Sequence, residues 1–288
     1  SSDLDLLLIY DLPNGQAESD GPRPVAPSQY YTRVTQRLIA ALSAPTAEGV
    51  LYELDMRLRP SGNAGPLATS LTAFERYQTG SARTWEHMAL TRARAFGRNE
   101  KGCAAIHAAI ERVLTAPFDT DKVRTDVADM RALLDREKPP KSVFDLKTAP
   151  GGIIDVEFIA QGMQLCYAQD NASILHTSTE EALQALQSAD LLSADDGAAL
   201  AAAHRLYSTL SQILRLCLDG VFDPETAAPS LRRLVTQACD LPSVETAKTH
   251  LEHTQADIRS RFNRLFAATD EDRSCSSLGG DNLEGKNQ

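Results

Sequence analysis

The stretch from Leu51 to Pro66, LYELDMRLRPSGNAGP, constrains the fold more than any other part of the chain. It reads as a strand that runs into a rigid turn rich in Gly and Pro. Strand alternation puts Glu53, Asp55, Arg57 and Arg59 on one face and Leu54, Met56 and Leu58 on the other. A charged face is costly to bury unless something pairs with it. By alternation alone, a solvated edge strand fits equally well.

A second carboxylate stretch sharpens the choice. Ser1-Ser2-Asp3-Leu4-Asp5 runs on into LLLIYD, which also reads as a strand, with Asp3 and Asp5 on one face and Leu4, Leu6, Leu8 and Tyr10 on the other. If the two strands are neighbours, Asp3, Asp5 and Asp55 form a cluster. Three carboxylates so close repel one another unless a divalent cation binds. Such a cluster suits two Mg²⁺ or Mn²⁺ ions that hold a nucleotide triphosphate for in-line displacement.

Four segments, two of them overlapping these stretches, add a likeness to a known family. SDLDLLLIYD, YELDMRLRPSGNAGPLATSLTAFERYQ and TWEHMALTRARAFG resemble the glutamine synthetase adenylyltransferase family, and KTAPGGIIDVEFIAQ resembles its motif after the catalytic domain. The likeness extends from Ser1 to about Leu165. The form RPSGNAG looks more like the second, adenylylating half of such an enzyme. The resemblance implies AMP transfer from ATP to a tyrosine of glutamine synthetase with release of pyrophosphate. Mg²⁺ or Mn²⁺ would sit on Asp3, Asp5 and Asp55, with Arg57, Arg59 and Lys147 on the nucleotide. It also implies control by glutamine and by the PII signalling protein. The rival readings are phosphorolytic removal of AMP and a non-catalytic regulatory fragment. In the family a Gly- and Ser-containing phosphate-binding turn precedes the Asp-x-Asp strand. Here only Ser1 and Ser2 stand before Asp3, so a truncated chain and weak transfer are expected.

Bulk properties fit a cytoplasmic protein. A chain of 288 residues has ample core for one large or two moderate domains. A net charge of −10 argues against nucleic acid as a partner. The five cysteines are scattered without metal-ligand spacing, as expected of reduced thiols. No stretch approaches the ~18 apolar residues of a membrane span, and no basic-then-apolar leader opens the chain.

In chain order, residues 12–27 read as a Pro- and Gly-marked loop, and Ser28 as the cap of a helix to about Ser43 carrying Tyr31, Val34, Leu38 and Ala41. Thr69 or Ser70 caps the next helix, to Gln78, and Ser81 another, to Phe96. Trp85 reads as a core anchor. Helices follow over Asn99–Ala116 and Asp121–Glu137, then an extended segment over Val143–Thr148. Pro150-Gly151-Gly152 turns the chain into a helix over Ile153–Tyr167. Asp155 and Glu157 in its first turns suit the positive end of the helix dipole, while the resemblance places them, with Lys147, toward the catalytic cleft. Ser178 with Glu181 forms a capping box. Helices continue over Ser193–Leu218, with Leu206, Leu210, Ile213, Leu214 and Leu218 as an apolar stripe, and over Val244–Phe266. The expected architecture is α+β: a nucleotidyltransferase-type small sheet with helices over 1–140, an α-helical bundle domain over 141–268, and a disordered tail over 269–288.

Overall fold

The computed structural model describes residues 3–12, 18–47, 49, 53–218 and 220–266. The expected tail over 269–288 lies outside them. The chain divides into two compact units, Ser1–Leu114 and Thr115–Gln288. The α+β class holds, with short strands confined to the first unit and helices dominating both.

In the first unit the opening strand is broken in two: β1 (Leu4–Asp5) and β2 (Leu8–Tyr10). β1 pairs in parallel with β3 (Leu54–Asp55), in register Leu4 to Leu54 and Asp5 to Asp55. β2 pairs in parallel with β4 (Ala68–Ser70). The Leu4 and Leu6 amides close the first pair by donating to the carbonyls of Glu53 (2.7 Å) and Asp55 (2.9 Å). The strand around Asp55 is shorter than alternation predicts. It ends at Asp55, whose carboxylate Oδ1 accepts from the Arg57 backbone N–H at 2.8 Å and turns the chain away from the sheet. Arg57 and Arg59 are therefore turn residues rather than strand residues.

α1 (Pro27–Leu42) follows the loop, with Tyr31 stacked on Tyr10 at a centroid distance of 4.3 Å. Its buried residue is Thr35, while Val34 and Leu38 are exposed, so the expected apolar face is not the packed one. α2 (Leu71–Gly80) starts at Ser70, whose hydroxyl accepts from the Ala73 N–H at 3.2 Å. The helix expected over Ser81–Phe96 is the shorter α3 (Thr84–Leu90). Trp85 is 41% exposed, and Phe74, Met88 and Leu90 fill the core instead. α4 (Glu100–Leu114) closes the unit against α2 and α3.

The second unit is all helical: α5 (Thr120–Glu137), α6 (Ile153–Tyr167), α7 (Thr179–Ser188), α8 (Ala194–Cys217), α9 (Pro229–Cys239) and α10 (Val244–Phe266). α5 packs on α6 and α10, so it belongs here and not with the strands. Pro229 opens α9 at its first turn, where a missing N–H costs nothing. Val143–Thr148 is a series of turns instead of an extended segment. At Gly151, with φ of +79°, a Cβ would lie 1.8 Å from the Gln255 carbonyl oxygen. Only glycine lets the loop before α6 approach α10 this closely. The core face of α8 runs through Leu200, Ala203, Tyr207 and Leu210. Leu206, Ile213, Leu214 and Leu218 of the expected stripe lie half-buried beside it.

Buried charges tie this unit together. Arg131 on α5 and Asp155 on α6 are both fully buried, with Nε 2.5 Å from Oδ2. Arg131 also donates through Nη2 to the carbonyls of Thr148 (2.9 Å) and Ala149 (3.2 Å), and its Nη1 lies 2.8 Å from Asp135 Oδ1. Arg259 on α10 closes the ring, reaching Asp155 Oδ1 at 2.8 Å and pairing with Asp135. Asp155 therefore belongs to a charge-balanced ring of two arginines and two aspartates, in which it and Arg131 are fully buried and Asp135 and Arg259 about a quarter exposed, and not to an open cleft as the resemblance implied.

A second anchor sits at the start of α8. Asp196 accepts from the Ser193 hydroxyl at 2.7 Å and from Arg261 and Arg264 at 2.5 Å each. Burial pushes its carboxyl up, but the Ser193, Arg261 and Arg264 bonds outweigh it, so the group stays below its ordinary 3.8. A depressed folded value stabilises the protein above the unfolded value, and the gain is lost as pH falls through the folded one. The urea midpoint of the helical circular dichroism signal is expected to drop from pH 5 to pH 3, and the gap between wild type and Asp196→Asn to close over that window. A gap that stays constant with pH would show that these bonds do not hold the carboxylate ionised.

Candidate active site

The turn after β3 carries the site. Arg59 is 7% exposed and folds back on the turn, with Nη1 donating to the Met56 carbonyl at 2.6 Å and Nε to that of Gly65 at 3.3 Å. The Gly62 N–H closes on the Arg59 carbonyl at 2.8 Å. At Gly65 a Cβ would lie 1.9 Å from the Pro60 carbonyl oxygen, so the tight crossing demands glycine. This is the physical content of RPSGNAG: one arginine and one close backbone crossing hold the loop rigid beside the carboxylates.

A cavity of about 400 Å³ opens here, lined by Asp3, Glu53, Asp55, Arg57, Arg59 and Asn63 together with Leu54 and Met56. Asp5 faces the same region through its register with Asp55. Glu53 and Asn63 are additions to the expected set. Glu53 shares the strand face of Asp55 at two-residue spacing, which was the available signal, whereas Asn63 had none beyond its place in the turn. Lys147 lies in the second unit, exposed, in the turn before α6, where its carbonyl accepts from the Ile154 N–H at 3.3 Å.

The strands are neighbours, as the carboxylate spacing required, but the expected three-carboxylate cluster is not assembled. Among the described residues no group of three His, Cys, Asp or Glu side chains is placed to hold a metal ion. The reason is visible at Asp55. The Arg57 guanidinium forks onto its carboxylate, Nε lying 3.0 Å from Oδ1 and 2.7 Å from Oδ2, with Nη2 pairing to Oδ2 as well. Asp55 is thereby held below the ordinary 3.8, chiefly by the Arg57 hydrogen bond and against the upward push of burial. The oxygen donors have the right chemistry for Mg²⁺ or Mn²⁺, yet as arranged they do not fit one, because a guanidinium already takes both oxygens of Asp55. Among the described residues no helix is long and apolar enough to cross a membrane.

Comparison with known proteins agrees with the motifs. Residues 1–109 match the family described as glutamate-ammonia ligase adenylyltransferase, and residues 122–266 match the one described as GlnD PII-uridylyltransferase. The chain is 49% identical over 269 residues to the bifunctional glutamine synthetase adenylyltransferase/adenylyl-removing enzyme of Mesorhizobium japonicum, covering 93% of this chain and 27% of that protein. It is 51% identical over 267 residues to the enzyme of the same description from Rhizobium meliloti, covering 92% and 27%. The Rhodopseudomonas palustris (strain TIE-1) enzyme gives 46% over 270 residues, covering 94% and 27%. The chain thus spans 27% of the length of the curated relatives it matches. On this similarity, and on the match of its strand-bearing unit, the chain belongs to the glutamine synthetase adenylyltransferase/adenylyl-removing enzyme family.

Proposed function

We propose that the first unit is a nucleotidyltransferase-type catalytic domain that transfers AMP from ATP to a tyrosine of glutamine synthetase in the cytoplasm. The observation that carries this reading is the in-register pairing of β1 with β3, which sets Asp5 beside Asp55 at the edge of a polar cavity. In the reaction the tyrosine oxygen attacks the α-phosphorus, the bond from that phosphorus to the bridging oxygen breaks, and pyrophosphate leaves with the electron pair. Asp55 takes the tyrosine proton. Asp3 and Asp5 keep the site negative and orient what enters it. Arg59 keeps the turn in place, and the Arg57 fork suits a triphosphate oxygen pair once it leaves Asp55. While Arg57 holds Asp55, the carboxylate is a weak base, so release of that pair precedes proton transfer. Lys147 is kept as a nucleotide contact on the strength of the motif it opens.

Phosphorolytic removal of AMP is the second reading, favoured by the relatives' description, which covers both activities. Control by a PII-type protein goes with the same proposal, supported by the description of the family that residues 122–266 match, and control by glutamine rests on the resemblance alone. The experiment supplies labelled ATP with unmodified glutamine synthetase, and separately phosphate with the adenylylated form. Label on the tyrosine is expected. Labelled product in neither direction would sink the proposal, and ADP formed from the adenylyl group and phosphate, with no label on the tyrosine in the ATP arm, would reverse its direction.

A further inference from the structure

Among the described residues, three other than glycine have a positive φ. Two are aspartates at or just past helix C-termini, Asp190 and Asp240, where a short polar side chain tolerates the left-handed region. The third is Ser61, with φ of +63° and ψ of +17°, in the turn beside the carboxylates. Gly62 follows it at +52°. A residue that carries a Cβ and is not Asn or Asp keeps this conformation only where its surroundings impose it.

What imposes it is a tyrosine. Tyr77, on α2, is not among the residues that line the cavity. Its hydroxyl donates to Glu86 Oε1 on α3 at 2.9 Å and is hydrogen-bonded to the backbone of Ser61. Glu86 is 6% exposed, and its other oxygen accepts from the Arg83 N–H at 2.8 Å, at the start of α3. One residue further along each helix, His87 Nε2 meets the Gln78 carbonyl at 2.9 Å, so α2 and α3 are clamped together at this point. Burial and the Glu86 bond push the Tyr77 phenol above its ordinary 10, which keeps it a donor to Glu86. Its oxygen is left to accept from the turn.

We propose that Tyr77 and Glu86 are positioning residues: through the Tyr77 hydroxyl they hold Ser61 in its left-handed conformation, and so set where the turn presents Arg59 and Asn63 to the cavity. That this turn serves transfer rests on reading the first unit as a nucleotidyltransferase. Arg59 and the Gly65 crossing hold the turn from within, whereas Tyr77 fastens it to α2 and α3. A phenylalanine at 77 keeps the ring and loses only the fastening. Glycine at 61 makes the fastening unnecessary, because it adopts a positive φ without strain.

The test is amide hydrogen exchange of the full chain, read by nuclear magnetic resonance, with circular dichroism as a check on folding. The probes are the Gly62 and Gly65 N–H groups, bonded to the Arg59 and Gly62 carbonyls. Tyr77→Phe is expected to speed their exchange about tenfold, the scale of one hydrogen bond to a charged group. Glu86→Gln, which weakens the acceptor without removing it, should speed it about threefold. Ser61→Gly added to Tyr77→Phe should bring exchange back to within about twofold of wild type, because the strain that the hydroxyl held is gone. Under the proposed function, Tyr77→Phe lowers kcat for AMP transfer about tenfold with the KM for ATP little changed, and Ser61→Gly recovers most of the loss. Unchanged exchange in Tyr77→Phe, or exchange still about tenfold fast after Ser61→Gly, would overturn the inference. Lost protection with kcat unchanged would overturn it as well. The exchange readout contains no transfer step. Protection that falls and is restored in this way, in a chain that transfers nothing, rejects the proposed function alone.

Discussion

Under the proposed function, Asp55→Asn is expected to lower the rate of AMP transfer to glutamine synthetase roughly 10³-fold, within the range for loss of a positioned proton acceptor. The amide keeps the shape of the side chain but cannot take the tyrosine proton, and it gives up the charge that Asp5 and Asp55 share across the β1–β3 pair. The fold is expected to survive, because the exposed Arg57 partner contributes little to stability. Single-turnover rates with labelled ATP, on protein of unchanged circular dichroism, measure this. A rate within tenfold of wild type would remove Asp55 from the chemistry and leave its fork with Arg57 as a turn-closing contact.

The second large effect is on stability. Asp155→Asn leaves Arg131, wholly buried, without its closest counter-charge. Breaking one side of a buried pair costs about 3–5 kcal/mol, far more than the pair itself contributes over an apolar substitute. With a urea slope of about 2 kcal/mol per molar, the midpoint read by circular dichroism should fall by about 2 M. Glu180→Gln, which cuts the exposed pair to Arg205, should cost no more than about 0.5 kcal/mol, a midpoint shift of about 0.25 M on the same slope. Equal shifts in the two variants would mean that the ring is not what holds α5, α6 and α10 together.

Local signals carried much of the fold. α6 and α10 begin and end where their glycines, caps and apolar spacing place them, and Ser70 and Ser178 cap their helices as their positions imply. What was hidden depends on partners distant in sequence. Arg131 and Asp155 find each other across a turn, and nothing in the order of residues marks Arg131 as buried. The exposure of Trp85 follows from how α3 lies on the first unit's core, which composition does not report. At the site, the strand spacing gave the neighbourhood of Asp5 and Asp55. Alternation failed one residue later, because the Asp55 side chain captures the Arg57 N–H and bends the chain. The contrast between a buried Arg59 and an exposed Arg57 was illegible for the same reason: on a strand the two would be equivalent, and in the turn they are not.

The pairing of β1 with β3 also sets the order in which the protein assembles. Asp5 meets Asp55 only when a loop of roughly fifty residues closes, at an entropic cost that no local contact offsets beforehand. Each strand is two residues long, and two-stranded ribbons are marginal by themselves. The carboxylate pocket is therefore a late and locally weak product of folding, whereas α6 forms from neighbours in sequence. In the native protein the same hierarchy is expected in amide exchange: the Leu4 and Leu6 N–H groups, bonded to Glu53 and Asp55, should trade hydrogen for deuterium well ahead of the α6 interior. An occupant that bridges the two strands ties off this loop, and slows that exchange by as much free energy as its binding supplies.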